Sequence, residues 1–282
     1  MAKKAFIVGI NDYAPTGPGG SDLRGCVSDA RDMANTLVIC GFPTSGIRIC
    51  TDSRATKKGI LDGLAWLTSG AKAGDSLVFH YSGHGSQVVD FNNEEPDGRD
   101  EILCPHDLNF ATKVYILDDD IRAIFSRLPS GVNLDVILDS CHSGTATRGS
   151  IAPEGLSVSV RYIAPPLDHA FHIDYNHNNP KFTKKGILKP KPGTKELVVV
   201  SGLNHVLWAG CRDYQTSEET SIGGSVRGIF TYNFCQILRR TGGRIVRKTL
   251  DSLVTAAIRN SGHVQVPQLE ASSAEVLQNV FM

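Results

Sequence analysis

Two continuous apolar runs, residues 75–82 and 134–140, break without transition into small polar clusters, Ser82-Gly83-His84-Gly85-Ser86 and Cys141-His142-Ser143-Gly144. A strand buried on both faces reads as an unbroken apolar stretch, the pattern of a central strand in a mostly parallel sheet. In such sheets the carboxyl ends of the strands are where ligands bind. Two such ends, one carrying His and the other Cys, therefore constrain both the architecture and the place of any chemistry.

The rest of the chain fits that architecture. Residues 4–10 read as the first strand, and Ala30, Met33, Ala34, Leu37 and Val38 then recur at helical spacing until Gly41 and Pro43 stop them. Residues 47–51 form a second short strand, and Ile60, Leu64 and Leu67 mark a second helix. Residues 101–105 read as a short strand or hairpin arm. Ile121, Ile124, Phe125 and Leu128 predict a helix that starts at Asp118-Asp119-Asp120, where carboxylates favour the positive end of the helix dipole. Another strand is expected at 196–201, then helices carrying Phe230, Phe234, Ile237 and Leu238 and carrying Leu250, Leu253, Val254, Ala257 and Ile258, and a closing strand at 266–269. The expected fold class is α/β, a mostly parallel central sheet with helices on both faces. One catalytic domain spans 1–282: a His/Cys half (1–148), a surface excursion rich in Pro, His, Asn and Lys (149–195), and a C-terminal half (196–282).

Lys plus Arg and Asp plus Glu both number 29, so no global field points to nucleic acid or an anionic membrane as partner. The apolar run near the N-terminus ends at Asn11 and Asp12, too short for a signal peptide, and no stretch is long enough to span a bilayer. Seven cysteines occur singly, without a C-x-x-C pair, and are expected to be reduced thiols. A cytoplasmic location follows as the expectation.

Strand side chains repeat with period two, so Ser82 and His84 share one side, as do Asp139 and Cys141. A thiol needs a neighbouring base to act as a nucleophile at neutral pH, and an imidazole can both stabilise the thiolate and protonate a departing amine. Cys141 and His84 suit these roles, and Gly83, Gly85 and Gly144 let a substrate backbone approach closely. His precedes Cys by roughly the 50 residues seen in caspases. The absence of a G-x-S-x-G elbow sets a serine hydrolase aside. A metal site drawn from His80, His84, Cys141 and His142 suits some spacings but not tetrahedral geometry, because His80 falls inside a buried strand.

The strings His-Tyr-Ser-Gly-His-Gly-Ser-Gln at 80–87 and Asp-Ser-Cys-His-Ser-Gly at 139–144 resemble the His and Cys motifs of metacaspases and their prokaryotic relatives, the orthocaspases. Supporting stretches are Gly25-Cys26-Val27-Ser28-Asp29-Ala30, Asp97-Gly98-Arg99-Asp100-Glu101, Ile116-Leu117-Asp118-Asp119 and residues 209–218. The resemblance implies a caspase–haemoglobinase fold and a cysteine endopeptidase with a Cys141–His84 dyad, acting as a monomer on peptides or proteins after Arg or Lys. It implies an acidic pocket from Asp29 and Asp139 with Cys26 and Ser82 beside them, an oxyanion site from the N–H groups of Gly85 and Cys141, and a cleft lined by Asp213, Gln215 and Ser217. Carboxylates suit that pocket on physical grounds, since they hold guanidinium and ammonium groups best. No cofactor is expected. Many relatives use calcium, and Asp100, Asp118 and Asp119 match three of the carboxylates, but Arg148 stands where the fourth belongs. The resemblance implies self-cleavage between the two halves, for which the lysine-rich residues 181–195 are a suitable site, with a solvated basic loop as the alternative reading. The alternative is a caspase-like module retained for binding or regulation.

Overall fold

A computed structural model describes residues 1–13, 22–90, 99–141, 158–170, 198–199, 205–212 and 215–282. The main sheet has seven strands: β1 (Lys3–Gly9), β2 (Ile47–Thr51), β3 (Ser76–Ser82), β7 (Asn133–Asp139), β9 (Val198–Val199), β10 (Val206–Ala209) and β13 (Gln268–Ala271), in the order β2-β1-β3-β7-β10-β13-β9. All neighbours run parallel except β10 and β13. The expected closing strand is therefore present, shifted to 268–271 and reversed in direction.

Two three-stranded antiparallel sheets flank the carboxyl end. One is β4 (Gly85–Val89), β5 (Arg99–Leu103) and β6 (Ile116–Leu117); the other is β8 (Ser159–Val160), β11 (Glu218–Ile222) and β12 (Ser225–Gly228).

Successive residues of β1, β3 and β7 feed opposite cores. Ile7, Val78 and Ile137 join one cluster with Met33, Phe230 and Leu250, from helices α1 (Cys26–Ile39), α4 (Ile229–Thr241) and α5 (Arg247–Asn260). Phe6, Phe79 and Val136 join the other with Leu64 and Phe125, from α2 (Lys57–Thr68) and α3 (Asp118–Phe125). A sheet covered on both faces is why its central strands read as continuous apolar runs. Thr56 caps α2 through its hydroxyl, which accepts from the Gly59 N–H at 3.1 Å. α3 ends at Phe125, so Leu128, expected within this helix, lies beyond its end. No helix among the described residues is long and apolar enough to cross a membrane.

Candidate active site

Strands β3 and β7 pair in parallel with Ser82 opposite Asp139, so His84 and Cys141 leave the sheet at the same level, two residues beyond that pair. His84 is held at both backbone groups: its N–H donates to the Tyr13 hydroxyl (2.7 Å), and its carbonyl accepts from the Tyr81 hydroxyl (2.7 Å) and the Cys104 N–H (3.0 Å). The Tyr13 ring lies 4.8 Å from the imidazole, centroid to centroid. Gly83 is required here, since a Cβ would come within 2.7 Å of both tyrosine hydroxyls. The Cys141 thiol donates to the Ser217 carbonyl (3.2 Å) and accepts from the Ser217 N–H.

Between these strand ends and the start of α1 lies a buried acidic pocket. Asp29 comes from the first turn of α1, Asp139 from the last residue of β7, and Glu219 from β11; each is at most 1% exposed. Asp29 accepts from the Ser82 hydroxyl (2.9 Å) and the Gly228 N–H (3.0 Å). Asp139 accepts from the hydroxyl (2.6 Å) and N–H (3.1 Å) of Thr231 and from the Ser217 hydroxyl. Glu219 accepts from the N–H groups of Arg24 (2.8 Å) and Gly25 (3.0 Å), which ties down the chain that leads into α1. Burial, offset in part by a neighbouring arginine, raises the Asp29 pKa from 3.8 to about 6.

That arginine is Arg161. Its guanidinium is fully buried, 2.6 Å from Asp29, 3.0 Å from Asp139 and 3.4 Å from Glu219, with further bonds to the Ser82 hydroxyl (2.8 Å) and the Asp139 carbonyl (3.2 Å). Burial works against its charge, yet the carboxylates of Asp139, Asp29 and Glu219 hold its pKa well above the ordinary arginine value. Its carbonyl oxygen accepts from the N–H of Gly85 (3.1 Å) and the N–H of Cys141 (3.2 Å), and its own N–H donates to the Ser217 carbonyl (3.0 Å). The preceding residues, β8, pair antiparallel with β11, and the Ile163 N–H bonds the Gly85 carbonyl (3.1 Å) on the other side. The expected surface excursion over 149–195 is described over 158–170, and within that stretch residues 159–163 run through the site instead of over the surface, with buried Arg161 at their centre.

Of the residues singled out in the sequence, Asp29, Ser82, His84, Gly85, Asp139, Cys141 and Ser217 are brought together. Cys26 lies under the pocket, its sulfur 3.9 Å from Glu219, and burial pushes its thiol pKa far up, so it acts as a neutral wall. Gln215 points instead to residues 264–266, donating to the Val264 carbonyl (2.9 Å) and accepting from the Val266 N–H (3.1 Å). Asp213, Arg148, His142 and residues 181–195 lie outside the described residues. His80 is buried inside β3 beside Thr231, and burial lowers its pKa to about 3. Asp118 and Asp119 pair with Arg122 at 2.9 and 3.0 Å, while Asp100 sits on β5. Among the described residues no three His, Cys, Asp or Glu side chains are grouped to hold a metal.

Glu219, Gly228, Thr231 and Arg161 escaped the sequence reading. Two signals were available: Gly223-Gly224, a hairpin turn with positive φ at both residues (60° and 84°), and the alternation Ser157-Val158-Ser159-Val160, a strand pattern within a polar tract.

Residues 3–148 match the family model "Metacaspase, peptidase C14 domain". The chain is 32% identical to Metacaspase-1 of Pyricularia oryzae over 99% of its own length and 74% of that protein's. It is 31% identical to Metacaspase-1A of Aspergillus oryzae over 96% of its own length and 68% of that protein's. Among solved structures, protein GSU0716 from Geobacter sulfurreducens superposes with a TM-score of 0.69 at 24% identity, over 100% of this chain and 99% of that one, a likeness of fold.

Proposed function

Since the chain belongs to the metacaspase family of cysteine peptidases, we propose that it is an endopeptidase cutting after basic residues, arginine before lysine, through Cys141 and His84. The observation that carries this reading is a single residue engaged at both ends: the Arg161 guanidinium lies among three carboxylates while its carbonyl oxygen receives the two N–H groups of Gly85 and Cys141. Paired N–H donors at a carbonyl are the arrangement that stabilises the oxyanion of a tetrahedral intermediate.

In this mechanism the Cys141 thiolate attacks the carbonyl carbon of the basic residue. Negative charge collects on the oxygen between Gly85 and Cys141, His84 protonates the departing amine, and water hydrolyses the thioester. Asp29 and Asp139 together with the Ser82 hydroxyl receive the fork of a guanidinium. An ammonium group ends short of Asp29 and Glu219 and offers no planar fork, which favours arginine over lysine. No step requires calcium. The enzyme acts on peptide or protein chains in a reducing, cytoplasmic setting as a monomer.

A catalytically latent module is the second reading, favoured by the complete burial of Cys141 and His84. The discriminating experiment measures initial rates on fluorogenic peptides ending in Arg, Lys or Asp, with calcium or chelator, for the wild type and Cys141→Ala. Cleavage after Arg, weaker after Lys, absent after Asp, unchanged by chelator and lost by on the order of a million-fold in the mutant is the expected result. Intact peptides throughout would reject the enzyme and leave the module.

A further inference from the structure

We propose that Tyr13 is a positioning residue for His84, fixing the attitude in which the imidazole protonates the departing amine. The inference rests on the peptidase reading above and deepens it. A general acid must stand within hydrogen-bond reach of the group it protonates, and a misplacement of about 1 Å can cost on the order of a hundredfold in rate. His84 sits between two glycines, Gly83 and Gly85, so no neighbouring side chain restricts its backbone. Tyr13 supplies the restriction from outside. Its hydroxyl accepts the His84 N–H at 2.7 Å, and its ring packs on the imidazole, 4.8 Å between centroids with the planes tilted by 52°. One side chain thus grips both the backbone and the ring of the same residue. The Tyr81 hydroxyl closes the other side, donating to the carbonyls of His84 (2.7 Å) and Cys104 (2.8 Å).

Tyr13 can hold His84 only if it is itself held. β1 makes its last rung with β3 through the Ile10 N–H and the Ser82 carbonyl (3.0 Å), so residues 11–13 leave the sheet beside the strand end that carries His84. There the Asn11 and Asp12 N–H groups both donate to Asp52 Oδ1 (2.8 and 3.1 Å), the Asp12 carbonyl accepts from His106 Nδ1 (2.6 Å), and the Tyr13 N–H donates to the Asp22 carboxylate (3.1 Å). Asp52 reaches them from a left-handed backbone, φ 47°, a conformation uncommon outside glycine that persists where the surroundings require it. Tyr13 is buried, and burial raises its pKa well above the ordinary tyrosine value, so the hydroxyl stays a neutral phenol. In the reaction the Cys141 sulfur bonds the carbonyl carbon, the carbon–nitrogen bond breaks, and the amine takes the proton that His84 received from the thiol. A phenyl ester needs no such proton, because its phenolate leaves as the anion.

The test measures single-turnover acylation by wild type, Tyr13→Phe and Tyr13→Leu on a fluorogenic peptide amide ending in Arg and on the matching p-nitrophenyl ester, with the thermal midpoint of each protein beside it. Tyr13→Phe keeps the ring and loses the acceptor, whereas Tyr13→Leu loses both. The maximal rate on the amide is expected to fall about tenfold in Tyr13→Phe and about a hundredfold in Tyr13→Leu, with half-saturation within about twofold of wild type. The ester's rate should fall at least about fivefold less than the amide's in each variant. A residue that only supported the fold would lower both substrates equally and the thermal midpoint with them, since both draw on one folded fraction. Amide rates within about twofold of wild type in the folded variants, or equal losses on amide and ester, overturn the inference and leave the peptidase reading standing. If Tyr13→Leu does not fold, the amide-to-ester ratio of Tyr13→Phe alone decides. A wild type that acylates on neither substrate rejects the peptidase reading and this inference with it.

Discussion

Two arginines are completely buried among the described residues, and their surroundings differ in charge. Arg247, the first residue of α5, meets one carboxylate, Asp135 on β7, at 3.1 Å, and its other bonds go to neutral oxygens of Asn133, Gln278 and the Glu275 carbonyl. Asp135 is completed in turn by the Trp208 indole N–H (3.0 Å) and the Phe281 N–H (3.3 Å). That cluster is balanced, and it ties helix α5 and the C-terminus to the central sheet. Arg161 instead faces three carboxyl groups, so one cation leaves a surplus of negative charge. A balanced buried pair suits a permanent joint, because either partner alone would be an uncompensated buried charge. A surplus suits a pocket whose cation arrives on another chain or leaves.

The sharpest way to break the contrast is to remove one acid from each cluster. Asp139→Asn is expected to lower kcat/KM for Arg peptides by on the order of a thousandfold, in line with truncating a buried, hydrogen-bonded charge pair, while the thermal midpoint moves little. Asp135→Asn should do the reverse, costing about 3 kcal/mol or more of unfolding free energy in urea with kcat/KM of the folded fraction preserved. Equal losses of activity in the two variants would erase the distinction.

Gly228→Ala probes the pocket's shape. A Cβ there collides with Asp139 Oδ2 and stands 2.7 Å from both terminal nitrogens of Arg161. Overpacking of this kind costs about 1–3 kcal/mol, so Arg peptides should be cleaved about ten- to a hundredfold more slowly, as read by steady-state rates with the urea midpoint as control.

The smallest expected effect is in pH. With its pKa at about 6, Asp29 accepts a proton as pH falls through that value, and a protonated acid holds a guanidinium less well. Below about pH 6, kcat/KM for Arg peptides should fall by up to about tenfold per unit, and Asp29→Asn should flatten that limb. The sign for stability is opposite. The fold binds this proton more tightly than the unfolded chain does, so the Asp29 contribution is most favourable below its ordinary 3.8 and declines as pH rises to about 6.

The parts legible in the sequence are those whose burial is apolar. β3 and β7 announced themselves as unbroken hydrophobic runs, and with them came His84 and Cys141. β11, Glu-Glu-Thr-Ser-Ile, reads as a polar loop, yet Glu218, Glu219 and Thr220 are buried because their polar groups face other polar groups. Hydrophobic periodicity cannot register a strand of this kind. Arg161 was invisible for the same reason: a lone arginine in a polar tract is ordinarily solvated, and only its seat among three distant acids keeps it buried.

The seam between β7 and β10 carries a further consequence. Strands β1 to β8 precede residue 161 and β9 to β13 follow it, yet Ile7, Val78 and Ile137 share one core with Trp208, Phe230 and Leu250, so neither half owns that core and the two must fold as one cooperative unit.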